Sequence, residues 1–518
     1  MLEPLNSPAR RGFLRLLAAA TFAGPGARLG LAFPQAADDR AYEALWTEYL
    51  RRHSQFGAAL TKLASEFDQE GLAADAADLR GWAARPDEGA LEFDDLPDTI
   101  LPAISQAYPP RERELRSRLR AIRRDYAGDL FQLSLKSRQK AQYSLTWRLV
   151  REAAYHDSDH ARARALLGYV KIQDRWTTPF RRQMEREGKV WHERFGWLPA
   201  KDIPRYDAGE RRFRDRWLSV EREAAVRADF TNAWEAASEH FLVVTNHSLE
   251  RGVEITVSLE RFHTWFLRTF ATVFMSPAQL QQLLEGSQSG AARTGTRHVV
   301  HYYRDQNEFR RRLTPKQPEA AFSNGIYMPS DRIAYFFHRP DVPEEVEETL
   351  YHETTHQILG ESLKRPAEIG GDANFWLVEG LACYLESFRP TAHGASVGDR
   401  SHIRLLWARR FLEDPEQRFF LPLERFTSLG QREFQCMGMV NGPPRVARLQ
   451  RHYAQAAGVT HFFLHYGDGE HREALMTYLA QLYSPDARIR SRVTPLDALT
   501  GVSFAELDRQ YEEHILAE

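Results

Sequence analysis

The chain is poor in cysteine, has no excess of either charge and, beyond its N-terminal segment, has no long apolar run. Two cysteines in 518 residues, Cys383 and Cys436, cannot build a disulfide framework, and a chain this long folds without a single bridge. Both read as buried thiols that behave as small apolar side chains. A formal net charge of −2 excludes the basic face that a nucleic-acid partner demands. After the N-terminus nothing approaches the roughly 20 uninterrupted apolar residues of a membrane-crossing helix, so no stable membrane span is expected in the mature chain. Oligomeric state leaves no trace in the sequence. What is present suffices for packed cores, with 43% hydrophobic and 12% aromatic residues. The length points to two or three domains rather than one.

The N-terminus reads Ser7-Pro-Ala-Arg-Arg-Gly-Phe-Leu-Arg15, followed by an alanine-rich apolar stretch from Leu16 to about Phe33. Paired arginines ahead of a modest apolar run resemble a twin-arginine export signal. Gly24, Pro25, Gly26, Arg28 and Gly30 interrupt the run, which spoils it as a spanning helix. The expectation is a leader over residues 1–37 and export to the periplasm or the extracellular space in the folded state.

Residues 38–234 read as a helical domain. Tyr42, Leu45, Trp46, Tyr49 and Leu50 recur at three- and four-residue spacing, as do Leu115, Leu119, Ile122, Tyr126 and Leu130. The arginines between Arg111 and Arg124 lie between those apolar positions and form the solvated face of an amphipathic helix. No strict repeat is visible. The paired helices suit a short helical-repeat array, with Ala161–Trp176 as one element. The pattern changes near Trp234. Runs such as Phe241-Leu-Val-Val-Thr245 and His298-Val-Val-His-Tyr-Tyr303 read as strands, and Gly325–Met328 with Arg332–Phe337 reads as a hairpin. A few strands followed by helices indicate an α+β, mostly helical fold, with a second domain over residues 235–518.

The stretch from Pro343 to Gly360 is a helix by its proline start, its acidic first turn and its closing glycine. It contains His352-Glu-Thr-Thr-His356. At 100° per residue the two histidines stand only about 40° apart, one turn from each other, so both imidazoles can reach one ion. Glu353 is displaced enough to face a metal-bound water. A third ligand is required, and Trp376-Leu-Val-Glu-Gly-Leu-Ala-Cys-Tyr-Leu-Glu386 offers it on a following helix. Glu379 is preferred. Glu386 sits two turns further along the same face, about 10 Å away, while Glu361 points about 140° from His356.

His352-Glu-x-x-His356, Trp376-Leu-x-Glu-Gly-x-Ala382 and the preceding Gly325-x-Tyr327 hairpin together resemble the gluzincin metallopeptidases, in particular the peptidase-MA-like domain of exported bacterial proteins. The resemblance covers roughly residues 236–518. It implies one Zn(2+) per chain held by His352, His356 and Glu379, with Glu353 as general base and a peptide or protein as substrate. It also implies that the hairpin supplies the edge strand on which substrate lies. Two positions depart from the pattern. Cys383 stands where some gluzincins carry an aspartate that orients a ligand histidine. The residue that steadies the oxyanion is not fixed, with Tyr453, His461, His465 and Tyr466 as candidates. The alternative reading is a catalytically idle peptidase fold that serves as an exported binding module.

Two further histidine pairs have metal-like spacing. His156-Asp-Ser-Asp-His160 lies at a helix boundary, where Asp157 and Ser158 are ordinary capping residues. His461 and His465 keep aromatic company in Phe462, Phe463 and Tyr466, the mark of a packed helix face.

Overall fold

A computed structural model describes residues 39–517 except 85–90, 95, 97–103, 141, 275–296, 318–319, 321–322, 363–368, 391–393 and 441. The leader over residues 1–37 lies outside the described residues. From Ala36 onward the chain forms one compact unit. The fold is α+β and mostly helical.

The first part is built from four long helices: α1 (Asp39–Gln69), α2 (Ala73–Ala83), α3 (Pro110–Gln139) and α4 (Tyr143–His156). Their apolar stripes close on a core that includes Tyr49, Leu60, Phe67, Leu115, Leu130 and Val150. Arg116 and Arg118 pair with Asp75 and Glu66 at the surface, as a solvated helix face should. The helices are also tied to the far end of the chain. Trp46 Nε1 donates to Asp468 Oδ2 at 2.8 Å, beside a contact from the Tyr42 hydroxyl to the Asp468 carbonyl.

The helical reading fails between Gly168 and Ser219. Three two-stranded hairpins stand there: β1 (Val170–Ile172) with β2 (Arg175–Thr177), β3 (Lys189–His192) with β4 (Gly196–Pro199), and β5 (Glu210–Phe213) with β6 (Arg216–Ser219). Each follows a helix whose end is turned by a left-handed glycine, Gly168, Gly188 or Gly209, with φ between 71° and 86°. Each second strand carries a tryptophan: Trp176, Trp197 and Trp217. The expected helical element at Ala161–Trp176 is therefore a one-and-a-half-turn helix, Ala161–Leu166, followed by the first hairpin. A repeat does exist. Gly168 precedes Trp176 by eight residues, Gly188 precedes Trp197 by nine and Gly209 precedes Trp217 by eight.

A five-stranded sheet follows: β7 (Trp234–Ala237), β8 (Phe241–Thr245), β9 (His298–Tyr303), β10 (Gly325–Met328) and β11 (Ile333–Phe337). Its order is β10-β11-β9-β8-β7. The central pairings β8–β9 and β9–β11 are parallel, and the outer two are antiparallel. Helix α5 (Leu249–Thr269) returns from β8 across one face, as a parallel crossover requires. Its N-cap Ser248 accepts from Arg251 N.

Helix α6 (Pro343–Ser362) lies over the same sheet beside β10. A Cβ on Gly325 would stand 2.6 Å from Phe336 Cδ1 and 2.8 Å from Thr349 Cγ2, so glycine is what lets α6 approach the edge strand. Gln357 Nε2 pins the helix to the Val299 carbonyl at 3.0 Å. Helices α7 (Phe375–Leu385) and α8 (Pro443–His465) complete the C-terminal core with Trp376, Leu381, Phe462 and Phe463. Among the described residues no helix is long and apolar enough to cross a membrane.

Candidate metal centre

Helix α7 is buried on every side, with Phe375, Trp376, Leu377, Leu381 and Leu385 all inside. A helix of this kind is apolar all round except where chemistry demands otherwise. Glu379 and Glu386 are the exceptions. They are seven residues apart, so they share one face with Cys383 between them, and that face meets α6. An unpaired carboxylate in such surroundings costs several kcal/mol, roughly, and both glutamates are engaged.

Glu379 Oε2 lies 3.5 Å from His352 Nε2 and 3.7 Å from His356 Nε2. The two Nε2 atoms face each other at 3.2 Å. The three atoms thus form a near-equilateral triangle, and the three residues rank among the groups whose donor atoms could hold an ion. Four ligands about 2.0–2.1 Å from a zinc ion in tetrahedral arrangement are about 3.3 Å from one another. The triangle has that size. Its donor chemistry fits as well, with two imidazole nitrogens and one carboxylate oxygen. The pocket favours positive charge. Burial works against charging His352, but Cys383, Glu379 and Glu386 outweigh it and hold the ring well above the usual histidine range. Burial likewise opposes Glu379, and the two histidines hold it far below the usual carboxylate range.

Glu386 does not join the triangle, although with His352 and Cys383 it makes another group whose donor atoms could hold an ion. Its Oε1 sits 2.9 Å from Nδ1 of His352, on the side of the ring away from the triangle. Arg404 grips both of its oxygens at 2.8 and 3.0 Å. Burial would raise Glu386, but Arg404 and His352 bring it down to about 2. An ionised Glu386 accepts a hydrogen bond from Nδ1–H and so leaves Nε2 as a lone pair, the tautomer a metal ligand needs. Cys383, at the aspartate position of the resemblance, is fully buried, and its thiol is pushed up by that burial. Glu386 and Arg404 fill the orienting role instead.

Glu353 stands beside the triangle without joining it. Its Oε2 accepts from Tyr327 N of edge strand β10 at 2.7 Å. Burial raises its carboxyl, against the pull of His352, His356 and that amide. Glu361 faces elsewhere and binds His298 and Gln357.

The four oxyanion candidates separate. His461 is committed to His514 Nε2 at 2.8 Å and to the Gly398 carbonyl at 3.0 Å, and His465 to the Tyr384 hydroxyl at 2.8 Å. Tyr466 stacks on His471 beyond the end of α8. Of the four, only Tyr453 feels the Glu379 charge: burial and that charge hold its hydroxyl well above the usual range. Tyr483, which the sequence did not single out, is raised by the same two causes. At His156–His160, Asp157 is the C-cap of α4, its N–H donating to the Ala153 carbonyl at 2.9 Å, and the N-cap of the next helix is His160, whose Nδ1 accepts from Ala163 N at 3.2 Å.

No family model and no curated protein matches the chain.

Proposed function

We propose that the chain is an exported zinc metallopeptidase of the gluzincin type, with His352, His356 and Glu379 as ligands. The observation that carries this reading is the triangle of donor atoms described above, 3.2 to 3.7 Å on a side. Zinc held there would polarise a substrate carbonyl and supply an activated water at neutral pH.

The chain's own residues do the rest. Glu353 moves the proton. Its Oε2 is held by the Tyr327 amide, which leaves Oε1 to take a proton from water and pass it to the leaving nitrogen. The raised carboxyl suits a group that must gain a proton as well as lose one. Strand β10 orients substrate. Because Tyr327 turns its N–H away from β11, its carbonyl points to the same open side of the antiparallel pair, where it can accept from an extended peptide. Tyr453 is the group best placed to donate to the developing oxyanion. Export rests on the Arg10-Arg11 segment alone.

The alternative, an idle fold used for binding, predicts no turnover. A peptide-library digest with the zinc-loaded full chain, run beside Glu353→Gln, separates the two. Cleavage by the wild type alone supports the enzyme, and no cleavage by either favours the binding module.

A further inference from the structure

A second cluster of metal-ligating side chains lies at the opposite end of the sheet strands from the β8–α5 connection. His240 sits in the turn entering β8, and Glu260 and His263 occupy adjacent turns of one face of α5. One donor atom from each of the three falls within 4.8 Å of the others. His240 Nδ1 is 2.8 Å from Glu260 Oε2, and the His240 and His263 rings lie 4.1 Å apart, centroid to centroid. Neither the leading motif nor the first triangle uses any of them.

The independent sign of a ligand is His263. Its side chain is only 4% exposed, and its Nδ1 is buried with no hydrogen-bond partner. A buried polar atom left unsatisfied costs about 1–3 kcal/mol. Burial, with His240 and His298 nearby, holds this ring well below the usual histidine range. Around His240 stand the carboxylates Glu260 and Glu239, while Arg297 is turned to the Ser238 carbonyl at 2.7 Å.

We infer that His240, Glu260 and His263 form a second site, which binds one divalent transition cation of the zinc class. Two imidazoles and one carboxylate select such an ion over calcium or magnesium, which prefer all-oxygen shells. The cation takes the place of the proton shared by His240 Nδ1 and Glu260 and releases it to solvent. Bound there, it clamps the β7–β8 turn to α5.

The test is Co2+ titration of the metal-stripped full chain, followed by absorption and calorimetry, in a His356→Ala background that disables the first triangle. The inference predicts that this chain still takes about one equivalent, that adding Glu260→Gln weakens the binding at least about tenfold, and that adding His263→Gln abolishes it. A His356→Ala chain that binds no Co2+ would overturn the inference. So would a doubly substituted chain, folded by circular dichroism, that keeps the equivalent. If His263→Gln does not fold, Glu260→Gln decides alone, since its partly exposed carboxylate is replaced by an isostere. These outcomes are read without reference to turnover, so they stand whether or not the peptidase reading does.

Discussion

Glu386 Oε1 and His352 Nδ1 are 2.9 Å apart, and Arg404 holds the other side of the carboxylate. The pair orients the His352 ring from behind. Glu386→Gln keeps the shape and loses the charge that draws the Nδ1 proton. Zinc affinity should fall about 10–100-fold, measured by competition with a chelator of known affinity. Affinity equal to wild type would remove Glu386 from the site.

Glu353 accepts from an edge-strand amide and is not one of the three donors of the triangle. Glu353→Gln should therefore leave metal content unchanged while cleavage falls by about 10²–10⁴-fold, the usual range for a lost general base. Steady-state rates on the best peptide from a library check this. Parallel loss of metal and activity would mean that Glu353 is a ligand.

The glycine after Glu379 has a packing reason. A Cβ on Gly380 would lie 2.6 Å from the Ala456 carbonyl and 2.7 Å from Thr460 Oγ1, where α7 meets α8. Gly380→Ala should destabilise the fold by about 1–3 kcal/mol, as overpacking does. It should also shift Glu379 away from the histidines. A lower Tm together with weaker zinc binding is expected. A Tm unchanged from wild type would show that the two helices can part freely.

His461 and His514 share one hydrogen bond deep in the C-terminal core. Burial, reinforced by neighbouring cations, holds them down at about 3 and about 2, whereas an unfolded histidine titrates near 6.5, roughly. Below about pH 6.5 the unfolded chain gains protons that the folded chain refuses. The stabilisation is thus full above that pH and is lost as pH falls toward 3. Unfolding free energy should decline through this window, and His461→Gln should flatten the slope by up to about one proton. Denaturant titrations at several pH values check it.

The triangle of His352, His356 and Glu379 was legible because its parts are local. His352 and His356 are one helical turn apart, and Glu379 sits in a short segment whose apolar pattern announces a buried helix. The role of Glu386 was half legible, since seven-residue spacing puts it on the ligand face, but only the packing of α6 against α7 shows which nitrogen it meets. The hairpins between Gly168 and Ser219 were missed because strands of three or four residues are too short for alternation to show. The Gly-to-Trp spacing that recurs three times was the available signal. The grouping of His240 with Glu260 and His263 had no signal of its own, because a strand turn and a helix face meet there only through the sheet crossover.

The most direct test is zinc content by elemental mass spectrometry of the purified full chain, comparing wild type, His352→Ala and Glu353→Gln. Equal zinc is expected in wild type and Glu353→Gln, and one equivalent fewer in His352→Ala. Zinc content unchanged by His352→Ala would contradict it, since the triangle of His352, His356 and Glu379 would then hold no metal.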